Sequence, residues 1–182
     1  MTQPRYVSIV FACFLLFGFI GAALAQTQPP AQPQPDKPAC GPDHKILYKR
    51  AVTLLDNAEK KLNSRFTAEA KSMAKEAKSL FAILQKECGQ DQKQRPLTPK
   101  EEQQEAINQK LSTDEQGAAE RLLKSAEDKE KKSAQIEATQ ADLSVKYQRE
   151  AKEEYEQAQK RGIKAMIYSM RTQQMLFSFL AK

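Results

Sequence analysis

Tryptophan is absent from the 182-residue sequence, histidine occurs once, and aromatic side chains make up only 7% of it. A lone imidazole excludes a two-histidine proton relay and a closed two-histidine metal site. With six glycines, the chain has no Gly-rich phosphate loop, and neither H-E-x-x-H nor C-x-x-C-H occurs. Nothing implies a cofactor, and the chain reads as non-enzymatic. Basic residues are few and carry no recognised nucleic-acid motif, so nucleic acid is not an expected partner. Charged residues at 29% and apolar residues at 40% separate the sequence from classical disordered chains.

What is present begins with an address. Arg5, the uncharged apolar run over residues 6–20 and Ala23-Leu24-Ala25 have the layout of a secretory signal peptide over residues 1–25. The expected location is therefore periplasmic or secreted. The alternative is an inner-membrane anchor formed by residues 6–25. Residues 26–42 follow, rich in Gln and holding Pro29, Pro30, Pro33, Pro35, Pro38 and Pro42. Such a segment favours extended polyproline conformations and reads as a linker.

The next region reads as an antiparallel helical hairpin over residues 43–89. Leu47, Ala51, Leu54, Ala58 and Leu62 recur in steps of three and four, as do Ala70, Met73, Ala77, Leu80 and Leu84. Gly41-Pro42 reads as a helix start and Gly89 as a stop, with a turn at residues 63–66 and Thr67 available as an N-cap. Cys40 and Cys88 are equidistant from Ser64, inside that turn. Closing the hairpin brings both sulfurs to its open end, where an oxidising compartment would join them as a disulfide. Cys40 and His44 also have C-x3-H spacing, with Cys88 as a third sulfur or nitrogen donor. One His and two Cys fall short of a closed zinc site, so the sulfurs read as a clamp and no metal is expected.

Residues 90–98 read as a linker, after which residues 99–182 are helical. Thr98-Pro99-Lys100-Glu101 is a capping box with proline at the first helical position, and Ser112-Thr113-Asp114-Glu115 looks like another. The strings predict a short helix up to residue 111 and a second starting at Thr113. Ile136, Leu143, Tyr147, Ala151, Tyr155 and Ala158 continue a helical stripe, either as a long coiled-coil-like helix bent at residues 128–133 or as a second hairpin with its tip there.

Residues 157–182 contain Lys160, Arg161, Lys164, Arg171 and Lys182 and no acidic residue. Ile163, Met166, Ile167, Met170, Phe177 and Leu180 fall along one face of the same segment, giving a basic amphipathic helix over residues 160–181. Three uses compete: a core helix docked on the hairpin, a helix that binds a partner, or one that lies on an anionic membrane surface. In the last two, Lys160, Arg161, Lys164 and Arg171 join the apolar residues as the contact surface.

Leu97-Thr98-Pro99-Lys100-Glu101 resembles the L-T-x-x-Q motif of periplasmic stress chaperones of the Spy/CpxP type, with Glu where that motif has Gln; capping explains the same string. The resemblance implies an envelope chaperone. Taken together, the residues point to an exported all-α protein. It would act as a protein-binding or scaffold module for another envelope protein, with the chaperone or a peripheral membrane-surface protein as the alternative. Oligomeric state is not legible.

Overall fold

The computed structural model describes residues 40–181; the expected signal peptide, the anchor alternative and nearly all of the Pro/Gln segment lie outside them. Among the described residues the chain is all-α: α1 (Pro42–Asn63), α2 (Thr67–Gln94), α3 (Pro99–Ile136), α4 (Ala141–Leu176) and a closing 3-10 turn (Ser178–Ala181). These form two antiparallel hairpins, α1–α2 and α3–α4, and α4 is the helix that packs against all the others.

The first hairpin starts as its sequence dictates. Gly41 caps α1 in an extended conformation and Pro42 occupies the first turn, where its missing N–H costs nothing. The reversal is made at Arg65, whose φ of 67° lies in the left-handed region. Ser64 N–H donates to the Lys60 carbonyl and Phe66 N–H to that of Lys61, satisfying the last carbonyls of α1. Thr67 does not cap α2; it is its first residue, and Phe66 takes the cap position without a side-chain bond. Gly89 does not end α2 either. The helix runs on to Gln94 and stops at Arg95, in extended backbone (φ −91°, ψ 111°). Arg95 precedes Pro96, whose ring disfavours helical backbone in the residue before it. A glycine inside a helix costs about 1 kcal/mol relative to alanine, which packing readily offsets.

The Thr98 capping box forms as read. Glu101 N–H donates to Thr98 Oγ1 and Thr98 N–H to Glu101 Oε2; the Thr98 N–H first, then the Thr98 hydroxyl and the Arg95 guanidinium, donate to the Glu101 carboxyl and hold it below its ordinary range. The second string does not start a helix. Thr113 Oγ1 donates to the Gln109 carbonyl and Ser112 Oγ crosses to the Ala165 carbonyl, so both hydroxyls serve the interior of one 38-residue helix. Nor does the chain bend or reverse at residues 128–133: α3 continues to Ile136 and the reversal occupies residues 137–140, closed by Gln140 N–H on the Ile136 carbonyl at 2.8 Å. The second hairpin is the observed arrangement, with its tip displaced from the charged stretch.

Both hairpins have small side chains every seven residues along their seams. In the second, Ser112, Ala119, Ala126 and Ser133 run down α3, while Ser144, Ala151, Ala158 and Ala165 run along α4. Bonds between Ser112 and Ala165, and between Ser133 and Ser144, pin the two ends of this register. Ala119 therefore faces Ala158, and Ala126 faces Ala151. All four alanines are buried, as close axial approach requires.

Larger side chains collect elsewhere. Leu55, Phe81 and Leu84 of the first hairpin bury against Ile163, Ile167 and Met170 of α4, and against Phe177 and Leu180 beyond it. Tyr48 Oη donates to the Gln174 carbonyl and meets Phe81 edge-on. The hairpins are thus joined through the last four turns of α4. Phe177→Ala should lower global stability by about 3–5 kcal/mol in denaturant unfolding. Ala151→Leu should instead lower hydrogen-exchange protection in α3 and the first half of α4, leaving amides around Phe81 protected. Equal losses in both regions would contradict this division.

Candidate functional site

Two places bear on function. At the open end of the first hairpin the fold brings together the residues that spacing singled out. The Cα atoms of Cys40 and Cys88 are 5.5 Å apart, at disulfide distance. Cys88 is fully buried. The Cys40 N–H donates to Asp91 Oδ2 at 3.1 Å. His44 lies in the first turn of α1. Its Nδ1 accepts the Gly41 N–H at 3.0 Å, and its Nε2 faces Glu87 Oε2 at 2.9 Å. The donor atoms of Cys40, His44 and Cys88 lie within 4.8 Å of one another. In the sequence, the place of His44 in the cluster was visible only in its C-x3-H spacing from Cys40.

The C-terminal helix is the second place, and the structure assigns its apolar face. Ile163, Ile167, Met170, Phe177 and Leu180 are buried in the core, and Met166 packs against it. Most of its apolar side chains therefore pack against this chain's own first hairpin, the arrangement of the core-helix alternative. Most of the basic residues are turned to the same purpose. Arg171 bonds Asp56 at 2.8 Å and Glu59 at 2.5 Å on α1. Burial opposes its charge, but those two carboxylates outweigh it and raise its pKa above the ordinary value. Arg161 bonds Glu115 of α3 at 2.9 Å, with Lys164 at 4.0 Å from the same carboxylate. Lys160 lines a cleft beside the first hairpin's turn, with Arg65 and Phe66. Amphipathicity alone could not say what covers the face. The acidic partners one helix away were in the sequence but had no register to place them.

That cleft also fixes where the second hairpin leaves the first. Gln157, Lys160 and Lys164 of α4 line a hollow with Leu62 and Asn63 at the first hairpin's end. Residues 141–155 of α4 and the facing part of α3 continue past that end, about 20 Å of helix at the usual rise. Ion pairs and hydrogen bonds join the two helices of this arm. Lys129 bridges Glu150 and Glu154; its hydrogen bond to Glu154, then that to Glu150, raises its pKa, and the Lys129 bond lowers that of Glu154. Tyr155 Oη donates to Glu130 Oε2 at 2.8 Å, and this bond raises its pKa to about 12. Leu123 and Val145 stand exposed on the arm.

Between the first half of α3 and the end of α4, Thr172 and Gln173 line a polar cleft. Thr172 Oγ1 and Gln173 Oε1 lack hydrogen-bond partners among the described residues. The Glu105 carboxylate lines the same cleft, which can hold polar groups. No described helix is long and apolar enough to cross a membrane. Comparisons with family profiles, with curated proteins and with solved structures find no match.

Cys40→Ser should lower the melting temperature by at least about 5 °C under oxidising conditions. The corresponding chain-entropy contribution for this loop is roughly 4 kcal/mol. With dithiothreitol the variant and the parent should melt together; an unchanged oxidised melt would remove the clamp. In the arm, Glu130→Gln should bring the Tyr155 phenol titration back toward 10, read by ultraviolet absorbance. Since the folded-state pKa is the higher one, the Tyr155–Glu130 bond contributes at pH values below about 10 and its contribution is lost between about pH 10 and 12.

Proposed function

We propose that the protein is exported and non-enzymatic, and that it acts in the cell envelope as a protein-binding or scaffold module through its α3–α4 arm. The observation that carries this reading is the arm beyond the first hairpin's turn. It is a two-helix rod whose inward side chains are small and mutually covered, so its outward faces are left for contact. A rod of this kind offers length and a defined register rather than a pocket, which suits holding a partner at a distance from the clamped base. Export is supported by the layout of residues 1–25 and by two cysteines at disulfide distance, a pairing that persists in oxidising compartments.

The test is site-specific photo-crosslinking in intact cells from Leu123 and Val145 on the arm. Ile46 on the first hairpin, as exposed as Val145, is the control. A discrete envelope protein should be captured from the two arm positions and not from Ile46. Capture from Ile46 alone, or from none of the three positions, would overturn the reading.

A further inference from the structure

We propose that reduction converts the open end of the first hairpin from a disulfide clamp into a binding site for a thiophilic d10 cation, held by Cys40, Cys88 and His44. The inference is independent of the arm's role. Three observations carry it. The two cysteines have Cα atoms 5.5 Å apart. Thiolates sharing one zinc ion at about 2.3 Å each stand less than about 5 Å apart, a separation that side-chain rotation can reach from that backbone spacing. The imidazole of His44 is the third donor, and all three donor atoms already lie within 4.8 Å.

The third observation is how the imidazole is held. Nε2 carries the ring hydrogen and faces the Glu87 carboxylate, while Nδ1, the nitrogen left for a cation, accepts the Gly41 N–H, a cap bond the cation would displace. A histidine whose ring is oriented by a carboxylate is the usual support of a metal ligand. A disulfide needs no such neighbour. The base of the site is dry on one side, since Cys88 is fully buried and His44 mostly so. Burial there favours soft sulfur coordination over competition from water.

The two states exclude each other. A disulfide sulfur carries no thiolate charge and is a poor ligand. A dithiol reductant supplies the electron pair: it becomes a cyclic disulfide while Cys40 and Cys88 become thiols. Each thiol then gives up its proton to solvent as the cation binds, so a divalent ion replaces two protons. Two thiolates and one imidazole leave a fourth position open, the arrangement of an exchangeable site rather than of a closed structural one.

The experiment uses the chain carrying Cys13→Ser, so that Cys40 and Cys88 are its only thiols. It is reduced with dithiothreitol, freed of reductant under anaerobic conditions and titrated with zinc(II) against a chromogenic chelator. One zinc per chain should bind the reduced protein, and none should bind the oxidised protein at the same affinity. His44→Gln should weaken binding by about tenfold or more, and Cys88→Ser should abolish it. Zinc should also raise the melting temperature of the reduced protein and not of the oxidised one. The comparison is fair because the reduced parent and Cys88→Ser both lack the clamp. Binding by the reduced protein no tighter than by Cys88→Ser would overturn the proposal. So would an affinity indifferent to His44→Gln, or a thermal shift equal in both redox states.

Discussion

The fold depends on one burial event: the last turns of α4 pressed into the first hairpin. Helix α3 packs against α4 among the described helices, and α4 alone reaches both α1 and α2. Among the described helices, α3 makes no comparable packing with α1 or α2. Phe81 and Phe177, the two largest fully buried side chains, come from opposite sides of this junction. The polar bonds around it, from Arg171 to α1 and from Tyr48 to the Gln174 carbonyl, fix the angle at which the hairpins meet. They add orientation to a contact whose strength is apolar burial.

That contact divides the chain into two mechanical regimes. Around Phe177 the packing is large-to-large and long in sequence range, so it unfolds as a unit with the first hairpin. Along the arm it is small-to-small and confined to two helices, where each turn buries little area. Stability of that kind falls away gradually toward a tip. The clamp at Cys40 and Cys88 ties down the opposite extremity, so the molecule is firmest at its base and at the junction. A surface meant to engage another protein benefits from being on the region that adjusts most cheaply.

Much of this was legible beforehand, for stated reasons. Equal spacing of two cysteines about a turn marked the first hairpin, because pairing geometry depends on register and register on the turn. The Thr98 cap was legible because its bonds are local. The second hairpin was not placed correctly because its turn, residues 137–140, carries neither glycine nor proline; the more charged stretch upstream was the louder but irrelevant signal. Ser112 and Thr113 looked like a cap because the same hydroxyls can bond a preceding carbonyl within a helix. Ser133 and Ser144 gave no hint of burial until each had the other as a partner. The use of the basic helix could not be read from its own residues, since an apolar face states only that something covers it.

The seven-residue spacing of Ser112, Ala119, Ala126 and Ser133, mirrored on α4, makes the arm a ruler. Inserting or removing seven residues in α3, together with seven at the matching place in α4, would leave every facing pair intact. Each such step would move the tip by about 10 Å. The distance between the anchored base and whatever meets the tip could thus change in even increments, without any alteration to the core that supports it.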